Sequence, residues 1–242
     1  MTERWFDQEE LDAMSRPTMD VLLEALDRGD TDEVRRLAER MKSEWGMLHD
    51  LLVEMVAGLA TYVHRQEGDA GVAAAWEDTF ERSWRSHVER TAELDRKQVV
   101  DLLARTWRAH SISGSGRHPA AFSVSEDDEK VTFDMHPCGS GQRLVLKGRY
   151  EGEGAYAVTT EAHDWSDDRA GFPVYCTHCS FMNEILPLRW IGLPLYPGHA
   201  PRDFTSDSCV WHWYKDPDAI PAAYAERYHE TPVPTPRRRD AP

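Results

Sequence analysis

Four cysteines, Cys138, Cys176, Cys179 and Cys209, all fall in the second half of the chain beside turn residues, polar residues or histidines. Cys176-Thr177-His178-Cys179 is a CxxC knuckle, a spacing at which the intervening turn can aim two sulfurs at one ion. Cys138 lies in His136-Pro137-Cys138-Gly139-Ser140-Gly141, directly after the strand-like run Val131-Thr132-Phe133-Asp134-Met135. Pro137 fixes a dihedral there, while Gly139 and Gly141 permit positive φ and close backbone approach. Gly139-Ser140-Gly141 lacks the Lys and the length of a phosphate loop. Together Cys138, Cys176, Cys179 and Cys209 make the tetrahedral shell that zinc favours, with His136 as alternate ligand. An all-thiolate shell suits an iron–sulfur cluster equally. The long gaps between the cysteines mean that the fold, not local spacing, must set this geometry. Buried free cysteines serving as small apolar residues, or a redox dithiol at Cys176 and Cys179, are the other two readings.

Four protein ligands close a zinc site into a structural staple, whereas three leave a position for activated water. Candidate proton carriers stand close in sequence. His136 and His178 flank the cysteines, and Glu184 follows Cys176 by about two helical turns. His49-Asp50 interrupts the apolar stripe of a long helix, where a polar pair must be hydrogen-bonded or face a cavity. His49 is therefore either a satisfied helix histidine or a pocket residue. Trp190, Tyr196, Trp211, Trp213 and Tyr214 supply aromatic walls for core or pocket.

These groups need positioning elements, and the sequence divides into two parts of different character. Residues 1–112 carry helical periodicity. Pro17-Thr18-Met19-Asp20 opens a short helix through Leu26, with Gly29 as its terminator. Asp30 and Glu33 have the capping-box form. From there Val34, Leu37, Met41, Trp45, Leu48, Leu52, Met55, Leu59 and Tyr62 form one apolar stripe ending before Gly68, a helix of about 50 Å. A third helix carries Val72, Trp76, Phe80 and Trp84, and a fourth Val99, Leu102, Leu103 and Trp107. Ser111 to Gly116 reads as a connector. Residues 117–230 form the cysteine-containing part, with strands expected at Ala121–Ser125, Lys130–Met135, Arg143–Lys147, Ala155–Thr160 and Cys209–Tyr214. Glu126-Asp127-Asp128-Glu129 reads as a hairpin tip, lacking the spacing of a calcium loop. Ser180 to Leu186 reads as helix, ended or kinked by Pro187. Residues 231–242 form a Pro/Arg-rich disordered tail containing Arg237-Arg238-Arg239. The fold class expected is α+β, a helical bundle or hairpin layer packed on an antiparallel sheet domain.

Composition narrows the partners. Lys and Arg number 28 against 43 Asp and Glu, a formal charge of −15 that repels a nucleic-acid backbone. No run approaches the roughly 18 to 20 uninterrupted apolar residues of a membrane helix, and neither end resembles a secretory or lipid signal. A cytoplasmic, reduced setting is expected, with a small-molecule ligand or substrate, no membrane partner, and a homo-oligomer as an option.

The order Val131 to Cys138, then Cys176, then Asp207-Ser208-Cys209-Val210-Trp211 resembles the C-terminal pattern of the L-2-amino-thiazoline-4-carboxylic acid hydrolase-like family. A related cysteine pattern occurs in 4-vinyl reductase-type small-molecule domains. The resemblance covers the second half, and the CxxC formed with Cys179 is an addition to the pattern. It implies an α+β small-molecule domain with hydrolytic chemistry. The function expected is metal-dependent hydrolysis of a small C–N-containing or heterocyclic compound, in which metal-bound water attacks carbon and His136 or His178 shuttles protons. The competing class is a non-enzymatic sensor or binding protein with a structural four-cysteine zinc or iron–sulfur site.

Overall fold

The computed structural model describes residues 5–111 and 120–229; nearly all of the expected connector and the whole 231–242 tail lie outside them. The fold is α+β. Asp7 and Glu10 form a reciprocal capping box that starts α1 (Gln8–Ser15). Helix α2 (Thr18–Asp27) ends at Gly29, whose φ of 72° lets the Asp30 N–H turn back to the Ala25 carbonyl at 3.0 Å. Asp30 then caps α3 (Thr31–Ser83) by accepting the Glu33 N–H at 3.1 Å.

The second and third expected helices meet within α3 at Gly68, whose φ of 68° and ψ of −163° are not helical and part the two where the apolar stripe ends. Asp69, next to the bend, accepts bonds from His64 and His163 and from the amides of Thr160 and Glu161. That carboxylate pins the bend to the second half of the chain. Helices α4 (Arg85–Glu93) and α5 (Arg96–Ser111) complete the helical layer.

Strands β1 (Phe122–Glu126), β2 (Lys130–Met135), β3 (Gly198–His199) and β4 (Cys209–Tyr214) form an antiparallel sheet in the order β1-β2-β4-β3. The tip between β1 and β2 closes on Asp127, which accepts the amides of Glu129 and Lys130. Val131, Phe133 and Met135 alternate onto one face with Trp211 and Trp213, and that face packs on Val88, Val99, Leu103 and Trp107. A second core joins Val72 and Trp76 to Trp165, Phe181 and Ile185, and a third joins Val53 and Ala57 to Leu144 and Tyr175. All three cores draw on both parts of the sequence.

Two expected strands are absent from the described residues. Arg143–Lys147 lies mostly in α6 (Gly141–Leu146), because a short apolar run has no periodicity that separates strand from buried helix. Residues 155–160 make a single bridge, Val158 to Pro173, and the amides of Ala157 and Thr160 bond to Thr61 and Asp69 of α3 instead. Pro187 does not end its helix. The chain runs from α7 (His178–Ser180) through a π-helical turn (Phe181–Ile185) into α8 (Leu186–Ile191). The wider π turn makes room for the proline ring, and the Asn183 carbonyl accepts the Leu195 N–H at 2.8 Å. A short helix, α9 (Ala223–Glu226), closes the described chain.

Phe133 is fully buried at the centre of the sheet core. Phe133→Ala is expected to lower unfolding stability by about 3–5 kcal/mol, read by chemical denaturation.

Candidate functional site

Four separate turns of backbone bring the cysteines to one cavity. Cys138 arrives at the end of β2, Cys176 from a 3-10 turn (Val174–Thr177), Cys179 from α7 and Cys209 from the first position of β4. All four line the same cavity, together with His178 and Glu184, and all four are free thiols. Its empty space, mouth included, is about 550 Å³, with about 50 Å³ of room for water centres. That holds a few waters or a small ligand group. Among the described residues, no three His, Cys, Asp or Glu side chains stand together as a group that could hold a metal ion.

Close packing, not backbone strain, explains the glycines. A Cβ on Gly141 would run into the Cys176 sulfur, and one on Gly139 into the His110 carbonyl. Neither glycine has positive φ, so only the close approach expected of them is used.

Gln142, which sequence reasoning passed over, holds the site together. Its Oε1 accepts the Cys138 N–H at 3.0 Å, while its Nε2 donates to the Phe204 and Asp207 carbonyls at 3.1 and 2.5 Å. One buried carboxamide thus ties the Cys138 loop to the turn that delivers Cys209. Next to it, the buried Arg143 guanidinium forms a two-point bridge to Asp50 of α3, at 2.7 and 3.2 Å, and donates to the Gly139 carbonyl.

The thiols are not equivalent. The Cys138 sulfur accepts the Cys209 S–H and the Gln142 N–H, the latter at 3.2 Å, and Ser140 also bonds to it. These bonds, that from Cys209 foremost, hold Cys138 below the usual thiol range despite its burial. Cys209, as the donor, is held up by the same bond and then by burial. Burial first, then neighbouring Cys138, pushes Cys176 and Cys179 up. Cys138 is thus the one sulfur of the four whose hydrogen bonds favour the charged form.

His178 is positioned by Tyr175. Its Nδ1 lies 2.5 Å from the Tyr175 carbonyl, so that nitrogen donates; burial lowers the imidazole, leaving Nε2 as an acceptor 3.4 Å from the Cys179 sulfur. Glu184 is buried in an ion pair with Arg227, and burial pushes it up to about 7 against the pull of that guanidinium. Arg227 also lines the cavity. It stands far from Glu184 in sequence, and no local signal marks it.

Two expected site residues lie elsewhere. His136 is exposed and off the cavity wall, because it continues the β1–β2 pairing through its N–H to the Ala121 carbonyl while its side chain turns out. His49 is also off the wall. Its Nδ1 meets Asp50 at 3.3 Å and its Nε2 meets His110 Nδ1 at 3.2 Å, making it the satisfied helix histidine of the two readings.

Comparison with protein-family models, curated proteins and solved structures gives no match.

Gln142→Leu is expected to destabilise the protein by about 1–3 kcal/mol, measured by denaturation, since it strands the Cys138 amide and two carbonyls. Burial would raise Asp50, but bonds from Arg143, Lys147 and His49 bring it down to about 2. A carboxylate depressed on folding adds stability above its unfolded value of about 3.9 and loses it as pH falls toward the folded value. Asp50→Asn is accordingly expected to lower Tm at pH 7 and to flatten its fall between about pH 4 and pH 2.

Proposed function

We propose that the chain is a small-molecule enzyme that hydrolyses a C–N bond in an amide-like, amidine-like or heterocyclic compound, with Cys138 as nucleophile. The observation that carries this reading is the hydrogen-bonded sulfur of Cys138 facing a cavity that also holds His178 and Glu184. The Cys138 sulfur bonds to the electrophilic carbon. The C–N bond then breaks, and nitrogen leaves with a proton from the Glu184 carboxyl. Water next adds to the sulfur-bound carbon, giving a proton to His178 Nε2, and the carbon–sulfur bond breaks to restore the thiolate. The proton on His178 returns to the Glu184 carboxylate, closing the cycle. The resemblance of the cysteine pattern to the thiazoline-carboxylate hydrolase-like family supports the same substrate class.

A second reading starts from the four sulfurs that line one cavity, which would have to draw together to hold an ion, since among the described residues no three of them stand as a metal-holding group. Cys138, Cys176, Cys179 and Cys209 would hold zinc or an iron–sulfur cluster, and a closed shell of that kind would stabilise a sensor or binding protein. Metal provides about 10–16 kcal/mol in small zinc modules.

Metal analysis and an absorption spectrum of anaerobically purified protein, followed by iodoacetamide labelling and peptide mass spectrometry, separate the two. The nucleophile reading expects Cys138 to be alkylated first, with an apparent pKa below the ordinary value of about 8.5. It also expects Cys138→Ser to cut hydrolysis of any accepted thiazoline or amide by about 10³-fold or more. Stoichiometric zinc, or a visible sulfur-to-iron band, with all four thiols protected would transfer the site to the second reading.

A further inference from the structure

From Trp45 onward the large side chains of the α3 stripe do not reach the core. Trp45, Leu48, Leu52, Met55, Leu59 and Tyr62 are exposed, and the same stretch turns Gly46, Val53, Ala57 and Ala60 inward. The exposed six alternate at intervals of three and four residues, the a/d repeat of a helix made to lie along another helix. Met47 and Leu51 widen the strip, and the eight side chains are 53–72% exposed. A large apolar side chain presents about 150–250 Å² when fully exposed, so the strip offers on the order of 1,000 Å². Monomers rarely leave more than about 300–600 Å² of contiguous apolar surface bare. A stable pair needs about 800 Å² from each partner.

Charge and packing select the occupant. An 18-residue window of α3 has a mean hydropathy of 1.2, which by length and composition alone would cross a membrane. Its other face, however, is held by the body of the protein: Val53 and Ala57 pack on Leu144 and Tyr175, while Asp50 pairs with Arg143 and Glu54 with Arg149. A spanning helix would have to abandon these contacts. A helix lying on an anionic membrane would display Lys and Arg, and residues 43–64 contain neither in a chain of charge −15. Glu44 is likewise taken up by Arg40 and Thr18. The strip thus carries no unmatched carboxylate and no cation, and its regular spacing lets it meet its own copy under a two-fold rotation.

We propose that residues 45–62 of α3 are the isologous interface of a homodimer. Sedimentation equilibrium of the full chain at micromolar concentration is expected to give twice 27.7 kDa. Leu52→Glu combined with Leu59→Glu is expected to halve that mass with an unchanged far-ultraviolet circular dichroism spectrum. Val124→Glu, at an exposed apolar position on β1, is expected to leave the dimer intact. A monomeric wild-type chain overturns the proposal, as does a folded double variant that stays dimeric. Should the double variant fail to fold, Met55→Lys alone gives the same readout. Sedimentation of the wild-type monomer with anionic phospholipid vesicles would assign the strip to a membrane surface instead.

Discussion

The buried carboxamide of Gln142 is the contact on which the site depends. It accepts a hydrogen bond from the Cys138 amide and donates two to the Phe204 and Asp207 carbonyls, so two segments far apart in sequence share one planar group. Buried polar groups are costly unless matched, which makes this geometry exacting. Arg143 extends the same logic outward by joining the Gly139 carbonyl to Asp50 of α3. Adjacent residues of one short helix thus lock the Cys138 loop to the turn before β4 and to the helical layer.

Burial then makes like groups unlike. Four thiols share one cavity, yet only Cys138 receives enough hydrogen bonds to favour the charged form; Cys176 and Cys179 are held neutral by lost solvation. Glu184 sits at the balance between burial and Arg227. A Cys138 sulfur inclined to the charged form, on a cavity that Glu184 also lines, is what the proposed nucleophilic hydrolysis rests on. None of these distinctions follows from the residue types, because each depends on the distance to a group elsewhere in the chain.

Helix α3 serves two surfaces with different side chains. The body approaches closely where Gly46, Val53, Ala57 and Ala60 face it, since small residues allow contact between backbones. The bulky residues are displaced to the opposite side. An amphipathic stripe states that a helix has an apolar face, not which neighbour will cover it.

The amino-acid sequence alone determined the α+β class, the capped start of α3 at Asp30, β2 and β4 to the residue, and the cysteines as the group to watch. Those features rest on local causes: caps, alternation, and the chemistry of sulfur. Tertiary structure decided the rest. It turned Arg143–Lys147 from an expected strand into α6, carried the helix past Pro187 through a π turn, put His136 in solvent and paired His49 with His110. It also chose Gln142 and Arg227 as site residues. These outcomes are set by partners from a dozen to more than sixty residues away, and short runs such as Gln142-Arg143-Leu144 contain no signal of what they will meet.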